Sequence, residues 1–305
     1  IIYDPNIFVD PASGTRILSV VFGIICTLLA IVPDIFIKSE STHDDKHLVP
    51  LRKENIGKSF VNIFYIFKDA FKNVPFRKLC IATFLVFNSF QTIAAFSFFI
   101  IVHYLFMGDA SAASPWPTLH GSVGAIITSF LVIPLVSKMA QIYGKKETFI
   151  ISQSISVIGY ILFWFLFIPG KPYMFLFALP FFSFGIGGLF TLMMSMTADA
   201  CDFEELQNGL PRKEGSFGAI YWWMVKLGTA LAGLLSGLIM WYVGFSPNAS
   251  SQPDGAMTGL RIAYSTIPVL GTLFAIYIMS DYEIDEARAA AIKKQLDARN
   301  QGINQ

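Results

Sequence analysis

FGAIYWWMVKLGTALAGLLSGLIMWYVG, residues Phe217–Gly244, runs through 28 positions with one charge, Lys226. About 20 mostly apolar residues suffice to cross the hydrocarbon layer of a bilayer. A run this long and this uncharged reads as a membrane helix. Six more stretches have the same character: Ile17–Ile37, Leu79–Met107, Leu119–Val136, Thr148–Ile168, Tyr173–Met196 and Ile262–Ser280. Hydrophobic residues make up 54% of the chain and charged residues only 14%, against about 25% charged in a soluble domain. The deficit is concentrated in the seven stretches, which is the pattern of a bilayer protein rather than of a large soluble core. The expected fold class is an all-α integral membrane protein.

The connections between spans alternate in charge. Residues 38–78, 137–147, 198–215 and the segment after Asp281 together hold 18 of the 22 Lys and Arg residues. Only Arg16, Lys171 and Arg261 fall on the opposite side. Basic residues collect in cytoplasmic loops, so the C-terminus is expected in the cytoplasm, and seven crossings put residue 1 outside. The long 38–78 connection reads as a boundary between two helix bundles. Residues 1–37 then hold an external segment and the last helix of an upstream bundle. Residues 79–281 form a six-helix bundle, and 282–305 a cytoplasmic tail with the composition of a soluble helix. In the central loop Phe60, Phe64, Phe67 and Phe71 recur at helical spacing, with Lys58, Lys68, Asp69 and Lys72 on other faces. This describes a helix lying along the inner leaflet or packed beneath the bundle. The chain begins at Ile1 without Met and without a leader pattern, and is expected to be a fragment lacking its upstream helices.

Several residues have chemistry unusual for a bilayer. Lys226 sits well inside the sixth span, where a charge costs about 2.5–3.5 kcal/mol on insertion scales. It should face an aqueous cavity and an acidic partner; no Asp or Glu lies deep in any span, so that partner is expected upstream. The other readings are a structural counter-ion or a lysine snorkelling to the inner surface. Asn88, Gln91 and Thr92 share a face of the second span beside Ser89, suited either to a hydroxyl-rich solute or to hydrogen bonds between helices. His103, at the outer end of that span, reads as an interface residue. In TADACDFEELQNGLPRKEG, Asp199, Asp202 and Glu205 recur every three residues, and Arg212, Lys213 and Glu214 follow; the expectation is an ion-pair cluster that closes a cytoplasmic gate. Gly185, Gly187, Gly188, Gly228, Gly233 and Gly237 suit close helix packing or a helix interrupted near a site. Cys26, Cys80 and Cys201 have no disulfide or zinc spacing, and no metal site is expected. Asn248-Ala249-Ser250 matches a glycosylation sequon, read as chance.

Met194–Gly228, MSMTADACDFEELQNGLPRKEGSFGAIYWWMVKLG, resembles the signature of the glycoside–pentoside–hexuronide cation symporters, the melibiose permease-like family of the major facilitator superfamily. The matching positions are Ala198-Asp199, Asp202 and Glu205, Arg212 with Glu214, and Lys226. NVPFRKL before the second span is similar to that family's entry to its seventh helix. Ile142–Lys146 resembles a superfamily cytoplasmic motif, with Gln141 where an acid is usual. The resemblance implies a major facilitator type bundle of twelve helices, of which this chain would hold the last helix of the first half and all of the second. It places Lys226 near the cation and sugar sites. It puts Phe190 where the family has a sugar-contacting tryptophan, and Trp222 at a position that often carries a hydroxyl; both departures imply a differently shaped pocket.

The resemblance implies a secondary transporter, coupling sodium or protons to uptake of a sugar or glycoside by alternating access. A bacterial cytoplasmic membrane is the expected location. The expected partners are a small sugar, the lipid bilayer and the upstream helices of the same chain, with no nucleic acid and no cofactor beyond the coupling cation. A lipid carrier of the related animal branch is the alternative. A membrane enzyme would need a clustered set of His, Asp, Glu or Ser, and the four His are scattered. A seven-helix receptor would need neither the acidic pattern at 198–215 nor an upstream half.

Overall fold

The computed structural model describes residues 11–36, 64–208, 213–246, 252–253 and 255–303. Phe60, Lys58, Arg212 and the sequon at Asn248 therefore lie outside the described residues. The chain divides into two compact units, Ile1–Ser59 and Phe60–Gln305.

The first unit contributes α1 (Pro11–Phe36), an apolar helix with Pro33 in its last turns. Its few hydroxyls turn inward on the helix: Ser19 donates to the Thr15 carbonyl and Thr27 to the Gly23 carbonyl. That is how a helix in lipid hides polar groups.

The second unit holds α2 (Val74–Leu105), α3 (Ala110–Tyr143), α4 (Lys145–Leu166), α5 (Pro172–Asn208), α6 (Glu214–Tyr242) and α7 (Ala256–Ser280). With α1, these are the seven described helices long and apolar enough to span a bilayer. A short eighth helix follows, α8 (Glu286–Ile303). The helices alternate in direction, so the starts of α2, α4 and α6 and the ends of α3, α5 and α7 share one end of the bundle. This is the end where the sequence concentrates Lys and Arg.

α2 packs against α5, α6 and α7, while α4 packs against α5 and α7. One apolar cluster fills the basic end, around Phe76, Leu79, Phe149, Met196 and Phe217. A second fills the opposite end, around Phe96, Ile100, Phe163, Phe175 and Tyr264.

Close contact between α4 and α5 depends on small residues. A Cβ at Gly159 would lie 2.4 Å from the backbone nitrogen of Phe182, and one at Gly188 would lie 2.7 Å from Ser152. Gln153 donates to the Gly185 carbonyl at 2.8 Å. Lipid tails are as apolar as leucine, so helices in a membrane associate through such tight packing and interhelical hydrogen bonds. The α5 glycines thus serve packing, and α5 is unbroken from Leu179 to Asn208. Gly233 and Gly237 differ: nothing among the described residues stands within 4 Å of a Cβ at either.

Two π-helical turns interrupt the ladders, Ile100–Leu105 in α2 and Thr128–Val132 in α3. At the end opposite the basic one, Arg261 donates to the Trp164 carbonyl at 2.9 Å and lies 4.1 Å from the Tyr104 ring centroid and 4.6 Å from that of Trp164. The guanidinium thereby satisfies an orphan carbonyl in the last turn of α4. His103 packs edge-on to Phe245.

Three expectations change. The acids at 198–205 are not in a loop, because α5 continues to Asn208; the three-residue spacing of Asp199, Asp202 and Glu205 is a helical one. The tail is not a free helix. Ile292 and Leu296 are buried in the basic-end cluster, Arg288 lies over the Phe203 ring, and Arg299 pairs with Glu205. The Phe-rich segment divides between its two readings. Residues 64–70 are helical; Ala70, Phe67 and Phe71 pack on the bundle, and Phe64 and Tyr65 stay exposed.

Candidate functional site

α6 buries one face, through Tyr221, Val225, Gly228 and Ala232, and leaves the other open. Trp222 and Lys226, one helical turn apart, both lie on the open face. Among the described residues Lys226 makes no ion pair or hydrogen bond. A charge at that depth needs water or an anion to offset its desolvation, and no carboxylate among the described residues pairs with it.

The α2–α6 seam lies beside it. Asn88, 8% exposed, donates from Nδ2 to the Gly228 carbonyl at 3.3 Å. Gln91 donates from Nε2 to the Thr229 hydroxyl at 3.4 Å. Gly228 has no room for a side chain, since a Cβ would lie 3.0 Å from the Phe84 carbonyl oxygen. Asn88 and Gln91 thus tie α2 to the turn of α6 that follows Lys226. Both side chains make the hydrogen bonds between helices that the sequence offered as one of their two readings. Thr92 and Ser89 donate to Asn88 and Leu85 carbonyls within α2.

Phe190, on α5, is 43% exposed and borders a groove of about 490 Å³ between α2, α3 and α5. Its ring stands edge-on to Phe87 at 5.6 Å, and deeper in the groove Phe90 stacks on Phe182 at 5.5 Å. His120 of α3 also lines this groove. Sequence reading passed over it; the available signal was an ionisable residue inside the third span.

Ion pairs gather at the basic end. Asp199 accepts from Lys145 at 2.6 Å, joining the end of α5 to the start of α4. Glu205 pairs with Arg299 of α8, and Lys78 reaches Asp281 at 2.9 Å and Glu283 at 3.5 Å. Asp202 is half-buried on the same stretch of α5, and Glu214 opens α6. Asn73 and Glu204 escaped sequence reading. Asn73 caps α2 by accepting from the Phe76 amide at 3.0 Å, and its Nδ2 donates to Glu204 at 3.1 Å and the Ala200 carbonyl at 3.2 Å. Asn followed by Pro75 is a helix-start signal, so the cap was legible and its long-range partner was not.

Lys213 approaches Asp69 at 3.4 Å, and Lys72 reaches the same carboxylate at 3.1 Å. Hydrogen bonds from Lys72 first and Lys213 second hold the Asp69 carboxyl below the ordinary carboxylate range. A lowered folded-state pKa means these contacts contribute above the unfolded value, about 3.9, and fade as pH falls through the folded one. Asp69 is nearly half exposed, so solvent screens the pair. A double-mutant cycle of Asp69→Asn and Lys213→Gln is expected to give a coupling below about 1 kcal/mol at pH 7, fading only as pH falls below the unfolded value and through the lowered folded-state one. Equilibrium unfolding of the purified protein in detergent measures it.

The family model described as MFS/sugar transport protein matches residues 6–286. A glucuronide carrier protein homolog of Escherichia coli K12 is 28% identical over 228 residues, 75% of this chain and 48% of that protein. An E. coli K12 protein named provisionally as a sulfoquinovose importer is 28% identical over 254 residues, 81% of this chain and 49% of its own length. Another, named provisionally as a glycoside/cation symporter, is 27% identical over 179 residues, 58% and 37% respectively. The chain spans about half the length of the curated relatives it matches.

Proposed function

The chain belongs to the MFS/sugar transport protein family, and from that we propose that it forms part of a secondary transporter moving a sugar or glycoside together with sodium or protons. The observation that carries the reading is the open face of α6. It presents Trp222 and Lys226, which has no ion pair or hydrogen bond among the described residues, adjoining the α2 helix whose other side borders a Phe-lined groove. In a complete transporter a second helix bundle would cover this face. The two bundles would rock about the enclosed site, with Lys226 supporting the carboxylates that bind the coupling cation.

Asp199, Asp202, Glu205, Arg212 and Glu214 are proposed to govern the cytoplasmic gate. Asp199 and Glu205 hold the ends of α4, α5 and α8 together, so the gate element would be this cross-linked end moving as one body. The names of the relatives favour a sugar, including acidic ones. The apolar lining of the groove is the feature that favours a lipid instead. Uptake by the full-length protein decides between them. Accumulation of one of a panel of radiolabelled glycosides, at least tenfold faster with a sodium or proton gradient than without, is expected. No gradient-dependent uptake of any glycoside would remove the symporter reading.

A further inference from the structure

His120 is 7% exposed, and its Nε2 has no hydrogen-bond partner among the described residues. The imidazole is enclosed by aromatic rings, with centroids at 5.6 Å for Phe163 and Phe175 and 6.2 Å for Phe182. A buried polar nitrogen left unpaired costs about 1–3 kcal/mol, and a phenylalanine would fill this aromatic pocket without that cost. The hydroxyl-bearing residues along the groove, Ser97, Thr128 and Ser129, are already engaged or shallow. Thr128 donates to the Gly124 carbonyl at 2.8 Å and Ser97 to the Ala94 carbonyl at 3.2 Å. His120 is therefore the deep group of the groove with hydrogen-bonding capacity to spare. The π-helical turn Thr128–Val132 lies two helical turns further along the same groove wall, and such turns are frequent at functional sites.

We propose that His120 is a specificity-determining contact of the transported solute, exchanging a hydrogen bond with one sugar hydroxyl while Phe90, Phe182 and Phe190 take the apolar face of the ring or aglycone. This rests on the sugar-transport reading above. An imidazole offers one donor and one acceptor in its neutral form, which matches a hydroxyl in either direction. Aromatic walls with one buried polar group are the usual make-up of a small-molecule site. A site built around a hydroxyl discriminates strongly against an analogue lacking it.

The test is initial-rate uptake by the full-length protein, normalised to transporter in the membrane. The first probes are radiolabelled methyl glycosides of glucose, galactose, xylose and glucuronic acid; the second are the monodeoxy forms of the one carried fastest. His120→Phe is expected to raise KM by about tenfold or more, with Vmax within about threefold. For one monodeoxy sugar the wild type and His120→Phe should show the same KM, because the hydroxyl that His120 meets is missing for both. His120→Gln, which keeps a donor and an acceptor, should recover part of the affinity; it also serves if the Phe variant fails to reach the membrane. Unchanged KM in both variants, or an equal rise for every monodeoxy sugar, would overturn the assignment and leave sugar transport standing. If the wild type carries none of the glycosides, the transport reading falls and the assignment with it.

Discussion

Lys226→Ala in the full-length protein is expected to abolish cation-coupled accumulation, a loss of at least about 100-fold, while membrane insertion stays intact or improves. The two halves of this expectation have one cause. A lysine ammonium within a span costs about 2.5–3.5 kcal/mol to insert, and alanine removes that cost. On the proposed reading, the charge serves coupling rather than stability. Lys226 sits on the open face of α6 and finds no anion among the described residues. The seam that positions it, Asn88 on Gly228 and Gln91 on Thr229, is built from neighbouring residues. Uptake driven by an imposed gradient, together with membrane-fraction immunoblots, reads both halves. Normal accumulation by the variant would exclude Lys226 from the coupling site.

Gly159→Ala should be the most damaging small substitution in the bundle. The added methyl would meet the Phe182 nitrogen at 2.4 Å, with the Phe181 carbonyl carbon and Phe182 Cα at 2.9 Å. These are backbone atoms of α5 and cannot rotate away, so α4 and α5 must separate. Overpacking of this kind costs about 1–3 kcal/mol and at times more, and here it also loosens the contact held by Gln153 and Gly185. A fall in Tm of several degrees in detergent is expected by nanoscale fluorimetry. Gly233→Ala is the control. Nothing lies within 4 Å of its Cβ, so the isolated bundle should tolerate it within about 0.5 kcal/mol.

Much of this architecture was legible in local windows, because the bilayer imposes a length and a composition that each span must meet alone. All seven spans, and the alternation of the six in the second unit, followed from that. The ends did not, since polar helix outside the hydrocarbon obeys weaker rules. α5 runs 12 residues past Met196 because Asp199, Asp202 and Glu205 continue its helical phase beyond the apolar stretch. The docking of α8 was hidden for a similar reason. Its apolar seam is short, Ala289, Ile292 and Leu296 within a run of charges, and nothing in that run names Phe203 or Glu205 as partners. Lys226 stood out because a single charge in an apolar run is conspicuous. The groove did not, because His120, Phe182 and Phe190 come from two helices and are assembled only by packing against α2. Asn88 and Gln91 show the limit from the other side. Their shared face was readable, but whether it meets a solute or another helix depended on where α6 lies.

In the full-length transporter, position 226 is expected to open onto water rather than onto lipid tails. The direct measurement is thiol labelling of Lys226→Cys in the full-length protein, with Cys26, Cys80 and Cys201 replaced by serine. A membrane-impermeant methanethiosulfonate reagent is applied from each side in turn. Modification from the aqueous phase in at least one orientation, slowed when the transported glycoside is present, is expected. Modification by a lipid-soluble maleimide alone, unaffected by any glycoside, would contradict it.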